Sequence, residues 1–196
     1  IHQDGHLGDP KSGSFRRHWY GRIVKHFHFR NEMKRKMFAE VHNETDFSLN
    51  IYRGNNAPPF FDQVSHSFLP SQVEDSYAHD GVGIVEGIKN NEGNWNAKGH
   101  RDRIIRIDLQ ALNVIHGLAE ADDVPVEEAR FIQPFSVGSL EVFMQMAKFQ
   151  KLAVAMLEAA GETRSVDQPS VRSLWQMSAH WNETGAQKDG TIKRET

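Results

Sequence analysis

The sequence predicts a single α+β domain, and three observations carry that prediction. A chain of 196 residues is long enough for one domain with a sizeable core. Apolar residues alternate with polar ones at Phe47, Leu49 and Ile51 and again along Arg101 to Leu109, the period of a half-buried strand. Elsewhere they recur at helical spacing, most clearly from Leu140 to Ala160.

Taken in order, residues 1–14 are rich in Gly, Asp and Ser and read as a flexible N-terminal arm with no core. Residues 15–182 form the domain and 183–196 a polar tail. Between residues 15 and 42, Trp19, Ile23 and Phe27, then Met33, Met37 and Val41, predict two N-terminal helices with Asn31 as a cap between them. Basic residues outnumber acidic ones there, so the run is either a patch for RNA or an acidic partner, or a solvated helix face. His26-x-His28 has the composition of a metal pair. On a helix those side chains point apart, and no third ligand stands at suitable spacing, so no metal site is read.

Asn43 to Asp46 is a turn leading into a strand that ends at Arg53. Pro58 and Pro59 bar a continuing helix, and Phe60, Phe61 and Val64 predict one short helical turn after them. A brief helical pattern follows Pro70 and ends near Gly81. Residues 89–100 form a polar loop whose Trp95 is either an exposed stacking platform or a core residue. Arg101 to Leu109 is the clearest strand, with Ile105 and Ile107 on one face and Ile104, Arg106 and Asp108 on the other. A turn or short helix precedes Val124, and Asp122 and Asp123 are read as solvated. After Glu127 and Glu128, residues 129–137 read as strand and turn. The Leu140 to Ala160 helix gathers Leu140, Phe143, Ala147, Val154 and Leu157 on its core face and stops at Gly161. Gln168-Pro169-Ser170 starts a further short helix.

Composition excludes several function classes. The absence of Cys rules out disulfides, thiolate zinc sites and cysteine nucleophiles. A net charge of -3 gives no argument for nucleic acid or for a membrane surface as partner, and neither is expected. No run approaches the roughly 18 apolar residues of a membrane helix. The chain begins with Ile and shows no signal peptide, which points to a fragment from which a targeting segment has been cut.

Arg53 falls on the same parity as Phe47, Leu49 and Ile51, so its side chain is expected to point inward. A buried guanidinium needs a partner, either a protein carboxylate in a structural ion pair or an anionic ligand. Tyr52-Arg53-x-Asn55-x-x-Pro58-Pro59, followed by Ser67-Phe68-x-Pro70, resembles the opening of the catalytic domain in mono-ADP-ribosyltransferase toxins of the cholera and pertussis type. That resemblance implies two short packed β-sheets around an NAD cleft, with N-terminal and C-terminal helices. It implies NAD as co-substrate, bound by Arg53 with Tyr52, Asn55 and His79, the last within Tyr77-x-His79, which is similar to a family element beside the nicotinamide. Glu128 takes the place of the catalytic glutamate, with Val126 two residues earlier where the family has Glu or Gln. The supporting Ser-Thr-Ser strand has no match, the segment in its place running from Asp80 to Glu86 without a hydroxyl.

The chemistry so implied is transfer of ADP-ribose from NAD to a host protein by a secreted toxin or effector delivered into the host-cell cytoplasm. Glu128 would stabilise the cation on the ribose as nicotinamide leaves. Arg53 would fix the dinucleotide through paired charge-assisted bonds to its phosphates. Two other classes stand beside it: a non-catalytic binding module on the same scaffold, suggested by Val126 and the missing Ser-Thr-Ser, and a nucleic-acid-binding or RNase-like protein. The last requires Arg16, Arg17, His26, His28 and Arg35 to converge on one concave face.

Overall fold

A single mixed sheet organises the described residues, with strand order β1-β3-β2-β4-β5. The computed structural model describes residues 1–32, 37–90, 92–121 and 123–159. β1 (His2–Gln3), β2 (Ile23–Arg30), β3 (Asp46–Tyr52), β4 (Phe60–Ser67) and β5 (Ile105–Asp108) pair antiparallel throughout, except that β2 and β4 run parallel. The helices are α1 (Gly5–Gly8), α2 (Gly13–Tyr20), α3 (Ser71–Ala78), α4 (Leu109–Ala119) and α5 (Val137–Ala159). Two compact units divide the chain, Ile1–Met144 and Gln145–Thr196, and the sheet lies in the first. No helix among the described residues is long and apolar enough to cross a membrane.

The α+β class agrees with the sequence, whereas the two-sheet arrangement is corrected to one five-stranded sheet. β4 lies beside β2 and also pairs with β5, so all five strands share one hydrogen-bonded sheet. The expected helix pair over 15–42 is likewise corrected. α2 stops at Tyr20, and Ile23 to Arg30 form a central strand paired on both edges. Ile23, Val24, Phe27 and Phe29 suit a pleated surface, and two sets of ladder bonds outweigh the coincidental helical spacing of Trp19, Ile23 and Phe27. The helical turn expected at Phe60 is instead the start of β4.

The N-terminal arm is no flexible tail, because Leu7 is 2% exposed and belongs to the core. Arg16 of α2, also buried, pins this segment by donating to the carbonyls of His6 (2.9 Å) and Glu128 (2.8 and 3.0 Å). Phe131 N–H donates to Leu7 O at 3.0 Å. The segment is therefore anchored by backbone groups that composition does not reveal. Residues 129–134 carry no regular secondary structure and do not join the sheet, and Glu128 ends a 3-10 turn, Val126–Glu128, instead of opening a strand.

Trp19, Tyr20, Phe61, Ile105, Ile107, Leu112, Ile115 and Phe131 form the main core under α2 and α4. Ile105 and Ile107 are buried and Arg106 exposed, as their alternation predicts. Phe29 and Phe47 stack at 5.6 Å on the opposite sheet face, with Phe38 edge-on at 5.1 Å. Trp95 is half-buried against Phe68. Met33, Arg35, Asp122, Gly161, the further helix expected after Gln168 and the 183–196 tail lie outside the described residues, as do the side chains of Val154 and Leu157.

Candidate metal centre

Register places a line of polar side chains on the core face of the sheet. His26 lies opposite Asn50, and His28 opposite Ser48, which is paired on its other side with His2. Directly paired residues project from the same face, so β1, β2 and β3 present His2, Ser48, Asn50, His26 and His28 together. Ser48 and His26 are fully buried, while Leu49 and Ile51 are 40% and 49% exposed. Beyond Phe47, β3 thus turns its polar parity inward, which is the reverse of the sequence expectation.

The chain after β1 then brings in two more ligating groups. Asp4 precedes α1 and His6 sits within it, its ring held edge-on by Phe15 at 4.9 Å and Trp19 at 6.0 Å. His2, Asp4 and His6 each offer a ligand atom within 4.8 Å of one another. His26 completes the group from β2, with Nε2 at 4.0 Å from Asp4 Oδ2.

Hydrogen bonds around these residues fix which atoms remain open. His6 Nδ1 donates to Gln3 O at 3.1 Å, and His26 Nδ1 donates to Asn50 Oδ1 at 2.7 Å. Both acceptors are oxygens, so each ring carries its proton on Nδ1 and presents a bare lone pair at Nε2. Asp4 Oδ1 accepts from the Ser48 hydroxyl. The atoms left over, His6 Nε2, His26 Nε2 and Asp4 Oδ2, are all buried and have no hydrogen-bond partner. Three unpaired acceptors in one buried place are costly unless a cation joins them. Burial lowers the pKa of His6 and pushes that of His26 down to about 4, so both imidazoles are neutral at neutral pH, as ligands must be.

A supporting shell surrounds this group. Asn50 Nδ2 donates to Ser48 Oγ at 2.7 Å and to His2 Nε2 at 2.9 Å. Tyr52 hydroxyl lies 2.9 Å from His2 Nε2 and accepts from Trp19 Nε1 at 3.1 Å. Trp19 and Phe131 stand edge-on to the His26 ring at 5.3 and 5.9 Å. One ring nitrogen bonded to a protein oxygen, with the other turned toward a shared point, is how metal-binding histidines are oriented.

No hydrogen bond or ion pair among the described residues joins Arg53, Asn55, His79 and Glu128 to one another. Arg53 follows β3 and its guanidinium donates to the carbonyls of Phe60 (2.9 Å) and Ile23 (3.3 Å) rather than to a carboxylate. Glu128 is ion-paired to Arg17 at 2.6 Å and packs on Gly13, where a Cβ would come within 2.8 Å of its Oε2. Arg22 O accepts from Arg53 N–H at 2.8 Å, so Arg53 meets the turn after α2, whereas Glu128 meets Gly13, Arg16 and Arg17 within the helix. Asn55 is exposed, His79 lies beside His100 at 4.1 Å, and Tyr52 belongs to the histidine cluster. The convergence required for a nucleic-acid face also fails, since Arg16, His26 and His28 are buried in the core.

Sequence reading missed His2, Asp4 and His6 and set His26 aside. The available signal was His2-x-Asp4-x-His6 together with His26-x-His28. Assigning residues 15–42 to helix hid it, because side chains two apart share a face only on a strand. Comparison with protein-family models, with curated proteins and with solved structures finds no match for this chain.

Proposed function

We propose that this chain is a metalloprotein whose centre binds one divalent first-row transition ion through Asp4, His6 and His26, with His2 on its solvent side. One observation carries the reading: Asp4 Oδ2, His6 Nε2 and His26 Nε2 are buried without partners, Asp4 is shared between His6 and His26 as a neighbour, and the other polar atom of each side chain is already hydrogen-bonded. Two imidazoles and a carboxylate suit Zn²⁺ or Fe²⁺ better than Ca²⁺ or Mg²⁺, which favour all-oxygen shells. Three protein ligands leave a coordination position for water or a substrate oxygen, and the chemistry supplied there is Lewis-acid polarisation or a water acidified for attack. The His2 side chain is 35% exposed while those of Asp4 and His26 are buried, so an approach to the ion runs past His2.

Equilibrium dialysis against Zn²⁺, Fe²⁺, Co²⁺ and Mn²⁺, with metal counted per chain, tests this. One ion per chain is expected, lost in His6→Gln and in Asp4→Asn and retained in His116→Gln, whose ring lies on α4. Asn50→Ala removes the acceptor that orients His26 and should weaken affinity by roughly 10–100-fold without changing stoichiometry. Absence of binding by all four ions at micromolar concentration would overturn the proposal.

A further inference from the structure

The segment between α3 and the 3-10 turn Arg101–Arg103 borders an open cavity of about 110 Å³. His79, Glu86, Lys98, His100 and Arg103 line it. Glu86 and Lys98 pair with each other at 2.6 Å, which leaves Arg103 and the two histidines as the remaining basic residues of the lining. Arg103 is 2% exposed. Its guanidinium donates to the carbonyls of Ser65, His66 (3.2 Å) and Lys98 (3.3 Å) and lies over the Phe135 ring at 4.6 Å. No carboxylate among the described residues forms an ion pair with it, and its Nε–H is buried without a partner. A buried cation lacking a counter-charge is the least favourable of all buried polar groups.

The neighbouring histidines supply further donors. His100 is 6% exposed, and its Nδ1 accepts from Asp102 N–H at 3.1 Å, which places the proton on Nε2, an atom also buried and unpartnered. His79 Nδ1 accepts from Gly81 N–H at 2.9 Å, so it too carries its proton on Nε2. The two rings lie 4.1 Å apart. Three N–H donors from three side chains line one small cavity, and the residues holding them spend their other polar atoms on the protein.

We propose that this cavity is a binding site for a small oxyanion, a phosphate or carboxylate group, held by His79, His100 and Arg103. The anion supplies the charge that Arg103 lacks and accepts the otherwise unused N–H groups, each bond being charge-assisted. A volume of about 110 Å³ is small beside the roughly 300–1,000 Å³ of pockets for drug-sized ligands, so the recognised element is a single anionic group and not a dinucleotide. Val82 and Ile84, 76% and 90% exposed, stand among the lining residues and offer contact to whatever carries that group.

Calorimetric titration of the full chain with sodium phosphate and, separately, with sodium butyrate at constant ionic strength tests the site, with sodium chloride as control. One saturable site is expected. His79→Phe keeps a ring against His100 but removes one donor and should weaken binding by roughly tenfold, the value of one charge-assisted hydrogen bond. Arg103→Lys, which keeps the charge and loses the fork, should weaken it further. Binding of phosphate but not butyrate supports the site with a phosphate group as occupant, and the converse supports it with a carboxylate. No saturable binding of either anion at millimolar concentration, or binding with unchanged affinity in His79→Phe, would overturn the assignment; unchanged affinity would mean the anion binds elsewhere, including at the metal centre.

Discussion

Asp4→Asn separates the metal's contribution from that of the fold. Asp4 Oδ1 accepts from Ser48, and Oδ2 is buried with nothing to accept from. An asparagine keeps the first bond, discards the charge and turns an amide N–H₂ toward the bare Nε2 of His26, 4.0 Å from the present oxygen. The metal-free variant should therefore match or exceed the metal-free wild type, by up to about 1 kcal/mol. With metal at about a hundredfold above Kd, wild type gains about 2.7 kcal/mol by mass action. For the unit Ile1–Met144, at about 2.1 cal/mol/K per residue, the unfolding entropy is about 0.3 kcal/mol/K, so the gain corresponds to about 9 °C in Tm. Differential scanning calorimetry with and without Zn²⁺ reads both quantities. The expected pattern is a crossing: the variant at least equal to wild type without metal and well below it with metal. A metal-linked rise of the same size in Asp4→Asn, or a metal-free variant several kcal/mol less stable than wild type, would refute the reasoning.

Other outcomes follow from neighbouring features. Burial pushes the pKa of His66 down to about 4, so the fold holds it neutral while the unfolded chain takes up a proton near 6.5. Stability from this group is complete above about pH 6.5 and is lost as pH falls toward 4, by up to about 3 kcal/mol; His66→Asn, which tolerates the φ of 54° there, should flatten that loss in urea unfolding followed from pH 7 to 4.5. A Cβ at Gly99 would lie 2.4 Å from Ser76 N, so Gly99→Ala should cost about 1–3 kcal/mol in urea unfolding, whereas Gly54→Ala meets nothing within 4 Å and should leave packing unchanged. Because Arg53 and Glu128 hold separate protein partners, nicotinamide release from NAD should be absent; release abolished in both Arg53→Ala and Glu128→Ala would restore the transferase reading.

The fold was legible where one period dominated. Ile105 and Ile107 alternate with charged neighbours, and the strand forms with them inward. The helix from Val137 was likewise visible in its 3.6-residue spacing, with Leu140 packed against the core. Residues 23–30 were ambiguous, since Ile23 and Phe27 satisfy both periods, and tertiary pairing on two edges decided for strand. That one choice governed the site: a helix sends His26 and His28 apart, and a strand sends both into the core. The N-terminal segment was opaque for another reason. Its Gly, Asp and Ser content resembles a loop, while its order comes from Leu7 in the core and from Arg16 bonded to carbonyls far along the chain. Arg53 was expected to meet a carboxylate or an anionic ligand, and it bonds instead to backbone oxygens, which leave no trace in sequence.

X-ray absorption at the metal edge of the Zn²⁺- or Co²⁺-loaded chain reads the ligands of the bound ion themselves. A centre built from Asp4, His6 and His26 should show imidazole nitrogens from two histidines at about 2.0–2.1 Å and a carboxylate oxygen at about 2.0–2.2 Å, with one histidine lost in His26→Gln and the oxygen shell altered in Asp4→Asn. A spectrum of oxygen neighbours alone, or one unchanged by both substitutions, would place the ion elsewhere and contradict the account.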